Sequence, residues 1–179
     1  ASAWNSSPPD VMSVASPGDL VVVQTACDDG IAVLSAPYTQ LDADQDSNLG
    51  VYLGYRFIQA GDSNPTLATV GFQTNIAAVF AVFRNAISFS GTNGTPIESK
   101  SLDPPSLTAY GRLWLANAGW RFGDLDSIPA GYTIADSANS SGFWAVVAYR
   151  IAEITSDNPG SFTTDPSAAE GYAATTAFT

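Results

Sequence analysis

Histidine is absent from the 179 residues, and with it every mechanism that needs an imidazole: a Ser-His-Asp triad, a Cys-His pair, a zinc site built on His. What remains for chemistry is carboxylate, amide, thiol and aromatic surface. The densest run of oxygen ligands is Asp42-Ala43-Asp44-Gln45-Asp46-Ser47-Asn48. Asp42, Asp44, Asp46 and Asn48 stand at the alternate positions a calcium loop uses to surround a hard cation with oxygen. The place that takes Gly in an EF-hand is Ser47, however, and the place of its bidentate Glu is Leu53, inside a strand pattern. The stretch therefore reads as a solvated acidic hairpin loop whose carboxylates steer a basic partner surface, with a calcium site as the alternative.

Paired carboxylates could also hydrolyse a glycosidic bond without His. Glu98, Glu153 and Glu170 are available, as are many Asp residues, but spacing in sequence does not show that any two converge. Asp28-Asp29-Gly30 reads as a hairpin turn, and Asp124, Asp126, Asp157 and Asp165 as loop caps. The single cysteine, Cys27, follows Val21-Val22-Val23-Gln24-Thr25-Ala26 with no cation nearby in sequence to lower its pKa, so it reads as a buried strand-end thiol. No catalytic residue and no cofactor is assigned, and a non-enzymatic protein is expected.

Aromatic and basic residues then become the candidates for contact. Trp114 and Trp144 sit among Leu and Val in strand patterns and are expected in the core. Trp120-Arg121-Phe122 is different: flanked by Gly119 and Gly123, it is expected in a loop or bent strand, and its residue types dominate interface hot spots. Trp4 and Met12 lie in an N-terminal stretch without core pattern, 1–16, which opens with no leader-like segment and is expected as an extended arm that anchors on a neighbour. Arg56 and Arg150 each follow a Tyr and suggest a repeated ion pair or Arg-aromatic stack. Asn5-Ser6-Ser7, Asn93-Gly94-Thr95 and Asn139-Ser140-Ser141 match the glycosylation sequon.

The elements that must position these residues are strands. Short runs of Val, Ile, Phe and Tyr recur between Gly, Pro, Asn, Asp and Ser clusters, most clearly at 19–25, 31–34, 50–59, 66–72, 77–83, 111–117, 143–151 and 173–178. Only 166–172 could hold a turn of helix. The fold class expected is an all-β antiparallel sandwich. Six basic against 17 acidic residues, a pI near 4.1 and no basic cluster exclude the counterion-release affinity of a nucleic-acid binder. No apolar run reaches the roughly 18 residues needed to span a bilayer, so no membrane partner is expected.

A repeat organises the strands. Pro37-Tyr38-Thr39 returns as Gly131-Tyr132-Thr133, Tyr55-Arg56 as Tyr149-Arg150, and Asn64-Pro65 as Asn158-Pro159, each 94 residues on. The chain thus reads as two pseudo-repeats, 17–87 and 107–179, sharing one core and joined by an exposed crossover loop over 88–106.

Pro17-Gly18-Asp19-Leu20-Val21-Val22-Val23, Pro37-Tyr38-Thr39, Tyr55-Arg56-Phe57-Ile58, Val79-Phe80-Ala81-Val82-Phe83-Arg84, Gly131-Tyr132-Thr133 and Ala148-Tyr149-Arg150-Ile151 together resemble a jelly-roll-like β-sandwich module of tailed-bacteriophage virion proteins. Such modules occur in capsid decoration or cement proteins, head fibres and tail-associated proteins; in the commoner form a Trp stands where Tyr38 and Tyr132 stand here. The resemblance implies a structural part on the virion surface, assembled in the host cytoplasm, with the major capsid protein or other virion proteins as partners, homo-oligomeric, and never glycosylated. The alternative is a glycan-binding sandwich, as a tail receptor-binding module or a carbohydrate-binding module, in which Trp120, Phe122 and nearby Asp or Asn form one exposed patch for a host-surface glycan.

Overall fold

The run Leu20–Cys27 lacks the polar alternation of a half-solvated strand, and all eight of its residues are buried. A strand covered on both faces reads this way. In the computed structural model the described residues are 2–4, 10–35, 37–71, 75–97 and 102–179, with backbone alone at 2–4 and 69–71. Ala36, Phe72, Glu98, the Asn5-Ser6-Ser7 sequon and the side chain of Trp4 lie outside what is described.

The strands are β1 (Ser2–Trp4), β2 (Leu20–Cys27), β3 (Gly30–Leu34), β4 (Thr39–Gln45), β5 (Gly50–Phe57), β6 (Leu67–Gly71), β7 (Ile76–Phe83), β8 (Phe89–Gly94), β9 (Leu107–Arg121), β10 (Asp124–Ser127), β11 (Thr133–Ser140), β12 (Phe143–Asp157), β13 (Thr163–Asp165) and β14 (Glu170–Phe178). They form two five-stranded sheets, ordered β1-β7-β2-β5-β4 and β11-β12-β9-β14-β8, and two pairs, β3-β6 and β10-β13. Every pairing is antiparallel, so the chain is the all-β antiparallel sandwich expected.

Period-two alternation sorts the side chains into layers. From β2, Leu20 and Val22 join Val51, Leu53, Leu113, Leu115, Val147 and Phe178 between the large sheets. Val21 and Val23 turn the other way, packing with Leu34, Tyr52 and Ile58 near β3-β6. On the far side Trp114, Ala116, Ala118 and Trp120 of β9 pack with Tyr132, Val146 and Phe162, near β10-β13. Gly50 permits close packing where β3 meets β5, since a Cβ there would collide with the Gly30 carbonyl.

The two large sheets have one strand plan: replacing each strand of the first by the seventh after it in the chain yields the order of the second. Details correspond as well. Thr39 is opposite Tyr55 and Thr133 opposite Tyr149, and the register slips after Gln40 in one pair and after Ile134 in the other. Leu20 is opposite Phe83 as Leu113 is opposite Phe178.

Four local expectations are corrected. The acidic stretch at Asp42 is mostly strand β4, because it pairs with β5 from Thr39 to Gln45. The crossover segment 88–106 contains β8, which finds a partner in β14, and its Ile97 and Leu102 are buried. Residues 166–172 hold no helical turn; β14 starts at Glu170. Within 1–16, β1 pairs with this chain's own β7, Val11–Ser13 form a 3-10 turn, and Val11 and Ala15 are buried in the layer beneath β3-β6.

Candidate interaction surfaces

Trp120, expected at a bent or looped surface, is fully buried. The cause is the length of β9, which runs on to Arg121 and keeps Trp120 on the face of Trp114, Ala116 and Ala118. Its ring stacks on Trp144 at 5.6 Å with 4° between planes, and its Nε1–H donates to the Gly123 carbonyl at 2.9 Å. Nothing of it remains for a partner.

Its two neighbours turn outward. Phe122 has φ +61° and Gly123 φ +78°, so the chain reverses there with a bulky side chain in the left-handed region, a conformation uncommon for such a residue. Phe122 is 48% exposed. The Arg121 guanidinium lies 4.4 Å from its ring centre and 3.7 Å from Glu170 Oε2, while Glu170 Oε1 accepts from Asn48 Nδ2 at 3.2 Å. Asn48, Arg121 and Phe122, together with Asp28, Asp29, Ser141 and Phe143, line a shallow depression of about 370 Å³ at one end of the sandwich. Asp29 (φ +48°) and Ser141 (φ +50°) are in the left-handed region too, and such strain gathers at binding loops.

Met12 is half-buried against the layer beneath β3-β6, and its backbone N–H donates to Asn64 Oδ1 at 2.9 Å. It packs on its own chain. Three of the four side chains proposed for calcium accept hydrogen bonds within the fold, and the fourth, Asn48, donates through Nδ2 to Ser47 and Glu170. Asp42 accepts from Tyr172 Oη at 2.7 Å and from the Ala43 amide. Asp44 accepts from the amides of Ile97 at 2.7 Å and Gln45 at 2.8 Å. Asp46 caps the turn by accepting from the Asn48 and Leu49 amides. Among the described residues no three Asp, Glu or Cys side chains are grouped to hold a metal.

The matched arginines serve the fold. Arg56 donates from Nε and Nη2 to Asp62, both at 3.0 Å, which holds that carboxyl below the usual range and raises the guanidinium in turn. Arg150 Nη2 lies 2.7 Å from Asp157 Oδ1, Asp157 also accepts from Tyr132 Oη, and Arg150 sits 5.4 Å from the Tyr132 ring centre. Arg56 Nη1 also donates to the Pro37 carbonyl at 3.4 Å, so each arginine ties its strand to the segment that carries Tyr38 or Tyr132. Burial pushes the Cys27 thiol up to about 12, and its Sγ–H donates to the Gly30 carbonyl at 3.2 Å. It is a structural thiol.

Sequence reasoning missed a surface on the other side. Between β7 and β11 runs a cleft of about 680 Å³, lined by Phe83, Arg84, Arg112, Ile134, Tyr149 and Ile151 among others. Its signal was present in the sequence as Ile151, an apolar residue in the outward half of β12. No helix among the described residues is long and apolar enough to cross a membrane. Compared with protein-family profiles, with curated proteins and with solved structures, the chain matches none.

Proposed function

We propose that this protein is a non-enzymatic structural part of a tailed-phage particle, a capsid decoration or cement protein that stabilises the head through protein-protein contacts. The observation that carries this reading is where the chain spends its chemistry. Its arginine-carboxylate pairs and paired tryptophans hold strands and loops in place, and two sheets of like strand order face one another. A sandwich of two such sheets offers broad faces for contact, and repetition over a lattice multiplies weak contacts into tight attachment. The net charge of −11 suits a part that must stay dispersed before assembly. Sedimentation of particles on a density gradient tests this: the protein should band with intact heads at a fixed copy ratio, and recovery only in the soluble fraction would reject it.

A second reading is favoured by the depression at Phe122. An exposed aromatic ring beside Asp28, Asp29, Asn48 and Arg121 offers the stacking face and hydrogen-bonding groups that a sugar ring takes. A glycan array would decide it: binding lost on Phe122→Ala with unchanged melting supports a carbohydrate-binding module or tail receptor-binding module, and an array without hits removes it.

A further inference from the structure

Corresponding edges of the two sheets are finished differently. In the second sheet β8 covers the outer edge of β14, with Phe89 opposite Phe178 and Gly94 opposite Ala174. The Phe89 ring stacks on Tyr55 at 5.4 Å and meets Phe178 edge-on at 5.7 Å. In the first sheet β7 stands where β14 stands in the second, but β1 reaches it only from Ile76 to Ala78. Among the described residues no strand pairs with the outer edge of β7 at 81–83.

The side chains beside that edge repeat the covered cluster without its lid. Tyr149, Ile151 and Phe83 match Tyr55, Phe57 and Phe178 in register. Phe83 meets Tyr149 edge-on at 5.8 Å, as Tyr55 meets Phe178 at 5.5 Å. Among the described residues no ring lies over them as Phe89 lies over Tyr55, and Ile151 is 78% exposed at the wall of the β7-β11 cleft. Two of the chain's six basic residues stand at the same place. The Arg84 and Arg112 side chains are 75% and 64% exposed, with their carboxylate partners only at 3.9 Å and 3.5 Å.

An open strand edge is a template for another chain, with backbone bonds supplying affinity and side-chain seats supplying selectivity. We propose that the β7 edge at 81–83 and its cleft take an extended segment of a partner polypeptide as an added antiparallel strand. The segment carries an aromatic side chain that seats on Phe83 and Tyr149, as Phe89 seats on Phe178 and Tyr55, and acidic residues just before it. An antiparallel strand running in the direction of β1 passes Phe83 first and reaches β1 last, which brings those acidic residues to Arg84 and Arg112. The inference stands apart from the virion reading, because it follows from the two edges alone.

The test uses the full chain and a fluorescent synthetic peptide with the sequence of residues 87–96, preceded by two added aspartates. Anisotropy at low salt should show saturable binding. Replacing the peptide's phenylalanine by alanine, or Ile151→Glu in the protein, should weaken it at least tenfold; omitting the aspartates should weaken it several-fold. Ile151 is exposed enough for its substitution to leave folding intact, and Ile87→Glu, at a residue 79% exposed and outside the cleft lining, should leave binding unchanged. Absence of saturable binding, or binding indifferent to both Ile151→Glu and the loss of the peptide's aromatic ring, would overturn the proposal.

Discussion

Tyr55 lies beneath Phe89 with ring centres 5.4 Å apart and planes 22° from parallel, so β8 is held to the sandwich by its first side chain as well as by its ladder. Removing that ring takes away one stacked and one edge-on contact, the latter to Phe178. Such contacts contribute about 0.5–1.5 kcal/mol each beyond area burial, and Phe89 is only partly buried. Phe89→Ala should therefore lower unfolding stability by about 2 kcal/mol in a denaturant melt.

Trp120→Ala should cost more, about 3–5 kcal/mol, because it empties a fully buried site and leaves Trp144 without its stacking partner. The same measurement separates a core residue from a contact residue: a surface tryptophan would leave the melt unchanged.

These two aromatics show how far the sequence could be read. Val21, Val23 and the long Tyr-Arg runs announced strands because two-sided burial makes apolar runs, and the all-β sandwich follows from them. The same logic places Trp120 correctly if β9 is continued past Asn117, since Trp114, Ala116, Ala118 and Trp120 alternate in register; Gly119 suggested a break that the ladder to β12 and β14 overrides. β8, β10 and β13 escaped notice because Asp, Ser, Thr, Asn and Gly dominate them, and edge strands are specified by their partners more than by their own propensity. The open edge of β7 was illegible for a related reason. It is defined by a pairing that β14 has and that, among the described residues, β7 lacks at 81–83, which only the register of both sheets displays.

The two arginines of β9 and β12 should differ sharply. Asp157, whose side chain is 5% exposed, is left with an uncompensated buried charge when Arg150 is replaced by Met, and breaking such a pair costs about 3–5 kcal/mol. Arg112 and Glu153 are both well exposed, so Arg112→Met should leave the melt nearly unchanged. Paired chemical melts of the two variants check this.

Stability should fall at both ends of the pH scale. The Asp62 carboxyl is held below its usual range by Arg56 and the Gln59 amide, so its contribution is present above the ordinary carboxylate value near ~4 and is lost as pH falls toward the folded one. Asp62→Asn should flatten the acid limb. Burial pushes the Tyr38 and Tyr52 phenols up to about 12; their contribution is full below ~10 and is lost between there and 12. Melting temperature against pH, in the parent and in Asp62→Asn, measures both limbs.

Cys27 should stay unmodified by a thiol reagent at pH 8 for as long as the fold persists, and react at once in denaturant, since its thiol is buried and raised to about 12. Rapid labelling of the native protein would mean that β2 opens at its Cys27 end.

The central claim is a place on the outside of a phage particle, and immunogold electron microscopy of the source lysate tests it most directly. Antibody against this chain should label icosahedral heads evenly over their surface. Label confined to tails would contradict a decoration role and favour adhesion, and gold on no particle at all would contradict the virion assignment itself.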